Sequence, residues 1–142
     1  MTDLTVNIEK IIHAPIEKVF DAWLDPKIMS KFMNGMPGNP DSEVENDARE
    51  GGKFTIFMYA GDEKLPHTGE YLEIRRPDKL VFTWKSRYSV VDDSTVTLNF
   101  TKMGDDKTKI SLLHVKFIDE ETRSGHEGGW GVILDKLSEI MS

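Results

Sequence analysis

From Trp130 onward the large apolar residues fall at Ile133, Leu134, Leu137, Ile140 and Met141, the i, i+3, i+4, i+7 spacing of one helical face, while Asp135, Lys136, Ser138 and Glu139 fall on the other. This predicts an amphipathic helix that closes the chain and needs a surface to pack on. Just before it runs a glycine-rich stretch, Gly125-His126-Glu127-Gly128-Gly129-Trp130-Gly131. That stretch lacks a preceding strand signal and the Lys-Ser/Thr pair of a phosphate-cradling loop. The expectation is therefore that its glycines let the helix approach its partner surface closely, and that the helix can bend there.

At the other end of the chain, Leu4-Thr5-Val6-Asn7-Ile8-Glu9 alternates with period two and predicts a strand, with Ile11-Ile12 breaking the phase as a bulge would. The period then changes. Pro15 suits a first helical position, Glu17 the first turn, and Ile16, Val19, Phe20, Trp23 and Leu24 form one apolar face. Asp25-Pro26 ends this helix and, as N-cap and first residue, opens a second one through Met33. The stretch from Asn34 to Asp41, with Gly35, Pro37, Gly38 and Pro40, is a loop.

Strand signals then come in series: Glu43 to Asp47, Lys53 to Tyr59, Thr68 to Arg75, Lys79 to Lys85, Ser94 to Lys102 and Thr108 to Phe117, each bounded by Gly-, Asp- or Pro-containing turns. Strands joined by turns this short are antiparallel neighbours. The predicted fold is α+β: a curved antiparallel sheet of about seven strands, one N-terminal and six after the two short helices, wrapped around the C-terminal helix. Alternation puts Phe54, Ile56 and Met58 inward, then Glu70, Leu72 and Ile74, then Leu80, Phe82 and Trp84, then Val96, Leu98 and Phe100, then Ile110, Leu112 and His114.

Length and charge narrow the function. The 142 residues suit a single domain spanning 1–142, large enough for a core without disulfides, and there is no cysteine. A net charge of -7 repels phosphate backbones and anionic lipid, so neither nucleic acid nor membrane insertion is expected. No leader or long apolar run is seen, and a cytoplasmic location is the expectation. His13, His67, His114 and His126 are scattered, without HxxxH, HExxH or GxSxG spacing, so neither metal nor cofactor is expected.

The order strand, two short helices, six strands and long helix is that of the helix-grip fold, and particular residues carry a closer likeness. These are Ala14-Pro15-Ile16-Glu17-Lys18-Val19-Phe20-Asp21-Ala22-Trp23 with Asp25-Pro26, Asp47-Ala48-Arg49-Glu50-Gly51-Gly52-Lys53-Phe54, Gly69-Glu70-Tyr71-Leu72-Glu73-Ile74 with Pro77, Leu80-Val81-Phe82-Thr83-Trp84, and His126 followed by Gly129-Trp130 and Leu134. In these the chain resembles the START-like (birch-pollen-allergen-like) superfamily. Within it, the chain is similar to bacterial proteins related to the C-terminal domain of activators of the ninety-kilodalton heat-shock chaperone's ATPase. The resemblance implies a deep, mostly apolar cavity between helix and sheet, used across the superfamily for lipids, sterols, hormones or polyketides. Lys31 to Gly38 departs from the family's Trp-rich turn, which implies a differently shaped cavity mouth.

The leading expectation is non-enzymatic binding of a small apolar or amphipathic molecule in that cavity. Its expected lining is Trp23, Phe32, Met33, Met36, Phe54, Met58, Glu70, Leu72, Trp84, Leu112, His114, Trp130 and Leu134. A chaperone-associated interaction module is the alternative, with the acidic stretch Asp41, Glu43, Glu45, Asp47 and Glu50 either a docking surface or a solvated edge. A third reading is a cyclase or hydrolase in which Glu70 and His114 act as acid and base; against it stands the ordinary fate of an inward histidine, a satisfied hydrogen-bonding role in the core.

Overall fold

The computed structural model describes residues 5–34, 41–60, 62–86, 94–115 and 119–141. Its elements are β1 (Thr5–Ile12), α1 (Ile16–Ala22), α2 (Pro26–Phe32), β2 (Glu43–Asn46), β3 (Lys53–Ala60), β4 (Glu63–Arg75), β5 (Lys79–Thr83), β6 (Thr95–Gly104), β7 (Lys107–Val115) and α3 (Glu120–Met141). The strands form one antiparallel sheet in the order β1-β7-β6-β5-β4-β3-β2. Five of its neighbours follow one another along the chain; the sixth pairing brings β1 beside β7. α3 packs against β1 and α2, and α1 packs against β6 and β7. This is the helix-grip arrangement the sequence predicts.

Local chemistry sets the short helices. The Asp25 carboxylate accepts a hydrogen bond from the Lys27 backbone N–H at 2.9 Å, and Pro26 fills the first helical position of α2, where its missing N–H is no loss. Pro15 stands one place earlier than expected, as the extended N-cap of α1 with no side-chain cap of its own.

The core lies between α3 and the inward side of the sheet. Phe54 and Ile56 of β3, Leu80 and Phe82 of β5, Val96, Leu98 and Phe100 of β6, and Ile110 and Leu112 of β7 are all buried, as their alternation predicts. Trp130, Ile133, Leu134, Leu137 and Met141 come down onto them from α3, whereas Ile140 lies at the rim of the stripe and is exposed. The β1–β7 ladder runs without interruption from Thr5 opposite Val115 to Ile12 opposite Thr108. Ile11-Ile12 is therefore no bulge: Ile12 continues the inward series of Val6, and Ile11 faces out.

β4 departs most from expectation. It begins five residues before Thr68, at Glu63, and its inward residues are Leu65, His67 and Tyr71, the opposite parity to the predicted Glu70-Leu72-Ile74 set. The register against β5 shifts between Tyr71 and Glu73, which is how Ile74 returns to partial burial while Leu72 is left 48% exposed. Pro66 is what hides the early start from pattern reading. β5 ends near Thr83, and among the described residues this part of β4 pairs with β3 and, on its other side, only through the Thr68–Lys85 bridge. Gly69 is required on packing grounds, since a Cβ there would stand 2.0 Å from the Thr83 carbonyl oxygen and 2.4 Å from the Phe54 ring. Gly51, at φ 83°, is required on conformational grounds.

Candidate functional site

The site grows out of α3. The helix starts ten residues before Trp130, its first turn capped by the Asp119 carboxylate, which accepts from the Thr122 backbone N–H at 2.8 Å. Glu120 and Glu121 sit where the helix dipole favours acidic groups. Arg123 then ties the turns together, donating to Glu120 at 2.7 Å and Glu127 at 2.8 Å and to the Thr5 carbonyl of β1 at 3.3 Å.

Gly125, Gly128, Gly129 and Gly131 thus lie inside a continuous helix. Three of them do not serve close approach to the sheet. A Cβ added at Gly125, Gly128 or Gly131 would meet nothing within 4 Å. Gly125 and Gly129 leave space: a cavity of about 450 Å³ lies under this half of the helix. From α3 it is lined by Glu121, Thr122, Gly125, His126, Gly129, Trp130 and Ile133, which repeat at one-turn intervals on a single helical face. Met58, Tyr59, Leu65 and His67 line it from the β3–β4 hairpin, Trp84 from just beyond β5, and Asn34 from just beyond α2. α3 is therefore core over its second half and cavity wall over its first.

Glycine in a helix interior is worse than alanine by about 0.8–1 kcal/mol. Gly128 is exposed and does not line the cavity. Gly128→Ala is expected to stabilise the protein by about 0.5–1 kcal/mol, raising the melting temperature by roughly 1–4 °C in a thermal melt. A lower melting temperature would mean that the helix is not continuous there.

The floor is a chain of rings. Trp84 and Trp130 meet at 4.9 Å between centroids, His67 lies 5.3 Å from Trp84, and His114 lies 6.0 Å from Trp130 and 5.3 Å from His126. Hydrogen bonds fix the protons. Trp130 Nε1–H donates to His114 Nδ1 at 3.0 Å, so Nδ1 carries no proton; Nε2–H then donates to Ser94 Oγ at 2.6 Å. Burial, helped by His126 nearby, pushes the His114 pKa down to about 3. His114 is a neutral structural group under the floor.

His67 donates Nδ1–H to the Leu65 carbonyl at 3.1 Å, and His126 donates Nδ1–H to the Thr122 carbonyl at 2.8 Å. Burial lowers the pKa of both. For His67 the carbonyls of Leu65 and Ile56 oppose that effect, and for His126 the Thr122 carbonyl does, in each case without reversing it.

Of the residues expected to line a cavity, Met58, Trp84 and Trp130 do so. Trp23, Met33 and Phe54 surround a separate void of about 10 Å³, and Phe32, Leu112 and Leu134 are plain core. Met36 lies outside the described residues. Leu72 is on the surface, and Glu70, half-buried, is of the outward parity opposite Lys53. Glu70 and His114 sit on β4 and β7, with β5 and β6 between them, a separation of about 14 Å at ordinary strand spacing. They form no acid–base pair. Pattern reading missed Asn34, Tyr59, Leu65, His67, Ile133 and the α3 residues before Trp130. The available signal was the recurrence of Thr122, His126 and Trp130 at four-residue steps.

Among the described residues there is no group of three or more His, Asp or Glu side chains arranged to hold a metal ion. Nor is any described helix long and apolar enough to cross a membrane.

Solved structures resemble this one over most of the chain. A Mycobacterium smegmatis protein superposes with a TM-score of 0.79 at 24% identity, covering 97% of this chain and 90% of its own. An AHSA1-like protein from Aeromonas hydrophila gives 0.78 at 22% identity, covering 95% and 90%. An HSP90 activator from Plasmodium falciparum gives 0.71 at 27% identity, covering 89% and 86%. No curated protein sequence matches the chain. The family model described as activator of Hsp90 ATPase homolog 1-like protein matches residues 13–142, nearly the full length, and the chain belongs to that family.

Proposed function

We propose that the protein binds a small, mostly apolar molecule in the cavity beneath the first half of α3. The observation that carries this reading is that a 22-residue helix keeps its large apolar residues for Trp130 onward and, before it, lines the space with Gly125, Gly129 and the polar Glu121, Thr122 and His126, leaving about 450 Å³ unfilled. A void of that size is far larger than packing defects in protein interiors, and it falls within the range of small-molecule sites. Met58, Leu65, Trp84, Trp130 and Ile133 supply apolar surface, and a few polar groups converge on the same space.

Native mass spectrometry of gently purified protein, followed by calorimetric titration against a lipid and aromatic panel, tests the reading. Gly125→Leu supplies the control, because its side chain would enter open space. The variant is expected to fold at least as stably as the parent and to lose binding at least tenfold. If no compound co-purifies and none binds the parent, the reading is wrong.

A second reading rests on the family itself and on the likeness to the Plasmodium HSP90 activator: the chain engages a chaperone of the ninety-kilodalton class. A pull-down with that chaperone from the same organism, with its ATPase rate measured alongside, decides it. Absence of both binding and stimulation would end this reading.

A further inference from the structure

The make-up of the cavity wall narrows the choice of guest. This inference rests on the binding reading above and adds the class of molecule.

Among the described lining residues Tyr59, His67, Trp84, His126 and Trp130 carry rings, beside the acyclic apolar side chains of Met58, Leu65 and Ile133. Over its second half, by contrast, α3 buries Ile133, Leu134, Leu137 and Met141. The rings are gathered where the space is.

They are also inclined to one another. Trp84 and Trp130 stand 4.9 Å apart at 54°, and His67 and Trp84 stand 5.3 Å apart at 41°. A parallel stack would hide a whole face of each ring, whereas rings set at these angles cover each other only in part. A flat guest that lies along one of them meets the next at an inclined or edge-on angle. Offset-stacked and edge-to-face contacts both attract beyond the area they bury, because the negative face of one ring meets the positive edge of another.

Two further features of the wall suit the same kind of guest. The Met58 thioether offers a sulfur–ring contact. On the helix side Gly125 and Gly129 present backbone without a side chain, which lets a flat molecule come close. A saturated skeleton gains the hydrophobic contribution alone.

We propose that the guest is an aromatic ring system, held by ring contacts with Trp84, Trp130 and His67 and by the sulfur of Met58, and that the cavity prefers it to a saturated molecule of the same carbon skeleton.

Calorimetric titration with 2-naphthalenemethanol and decahydro-2-naphthalenemethanol tests this, because the two share a skeleton and an aliphatic hydroxyl and differ in the rings. The saturated compound is the more hydrophobic, so burial alone would favour it. The aromatic compound is nonetheless expected to bind about fivefold more tightly or better. Trp84→Leu keeps an apolar side chain and removes the central ring; the preference is expected to fall to about twofold or less, while the affinity for the saturated compound stays within about threefold of the parent's. His67→Leu, at the end of the ring chain, is the second variant should the first fail to fold, and it is expected to reduce the preference about twofold or more. Saturated compound bound as tightly as the aromatic one, a preference unchanged in the folded variants, or binding confined to the aliphatic members of the wider panel would overturn the aromatic assignment while leaving a binding cavity in place. If neither compound binds and the wider panel also fails, the binding reading falls and this one with it.

Discussion

Replacing Trp130 with alanine is expected to lower the unfolding free energy by about 3–5 kcal/mol, a large part of the 5–15 kcal/mol typical of a domain. Trp130 is 2% exposed, and it joins the two halves of α3 to the sheet. Its ring packs on Trp84, and its N–H is the donor that fixes the tautomer of His114. Truncation therefore removes a large buried surface and leaves a buried imidazole nitrogen without its donor. Trp130→Phe separates the two effects. It keeps most of the ring and removes the donor, and is expected to cost about 1–3 kcal/mol. Urea denaturation with linear extrapolation measures both. If the alanine variant loses less than about 1 kcal/mol, Trp130 is only a cavity wall and the account of the core given above is wrong.

Acid is expected to be the other strong perturbation, through His114. In the native state its imidazole stays neutral down to about pH 3, against an ordinary value of 6.5. As the pH falls below 6.5 the unfolded chain takes up a proton that the native state refuses. The stability contributed by the neutral ring is therefore complete above pH 6.5 and drains away between 6.5 and 3, at up to about 1.4 kcal/mol per pH unit from this residue. His67 and His126, whose values are also lowered, act in the same direction. Denaturation curves at pH 7.5, 6.0 and 5.0 should show the decline. In a nitrogen-detected titration the His114 ring should hold its Nε2–H form without titrating between pH 8 and 5. Titration of that ring near pH 6.5 would contradict the hydrogen-bond assignment.

Element order and most inward faces were legible because β3, β5, β6 and β7 alternate cleanly and the second half of α3 carries a full apolar stripe. Where legibility failed, the cause was physical. Pro66 suppresses a strand signal, yet the ladder with β3 runs through it from Lys53–Glu70 to Ala60–Glu63, so the strand forms and its phase is the reverse of the one read from Leu72 and Ile74. Gly125, Gly128 and Gly129 erase the apolar periodicity on which helix recognition depends, so the apolar pattern of α3 begins only at Trp130. The two failures fall on the two walls of one cavity. Leu65 and His67 come from the missed part of β4, and Thr122 and His126 from the missed part of α3. Pattern reading rewards segments that fill a core, and a cavity is built from segments that do not. The expected lining accordingly collected good core residues, such as Leu112 and Leu134, and passed over the residues that leave space.

The cavity under α3 owes its volume to absent side chains rather than to a purpose-built shell, and that makes it easy to retune. At Gly125 a single substitution changes the shape available to a guest without touching the strands, the Trp130 contacts or the stripe from Ile133 to Met141. Because larger residues are also better helix formers than glycine, changes of specificity at such a position need not come at the expense of folding. Variation in what the site accepts is thus decoupled from variation in whether the chain folds, a separation that gives one scaffold room to diversify among many guests.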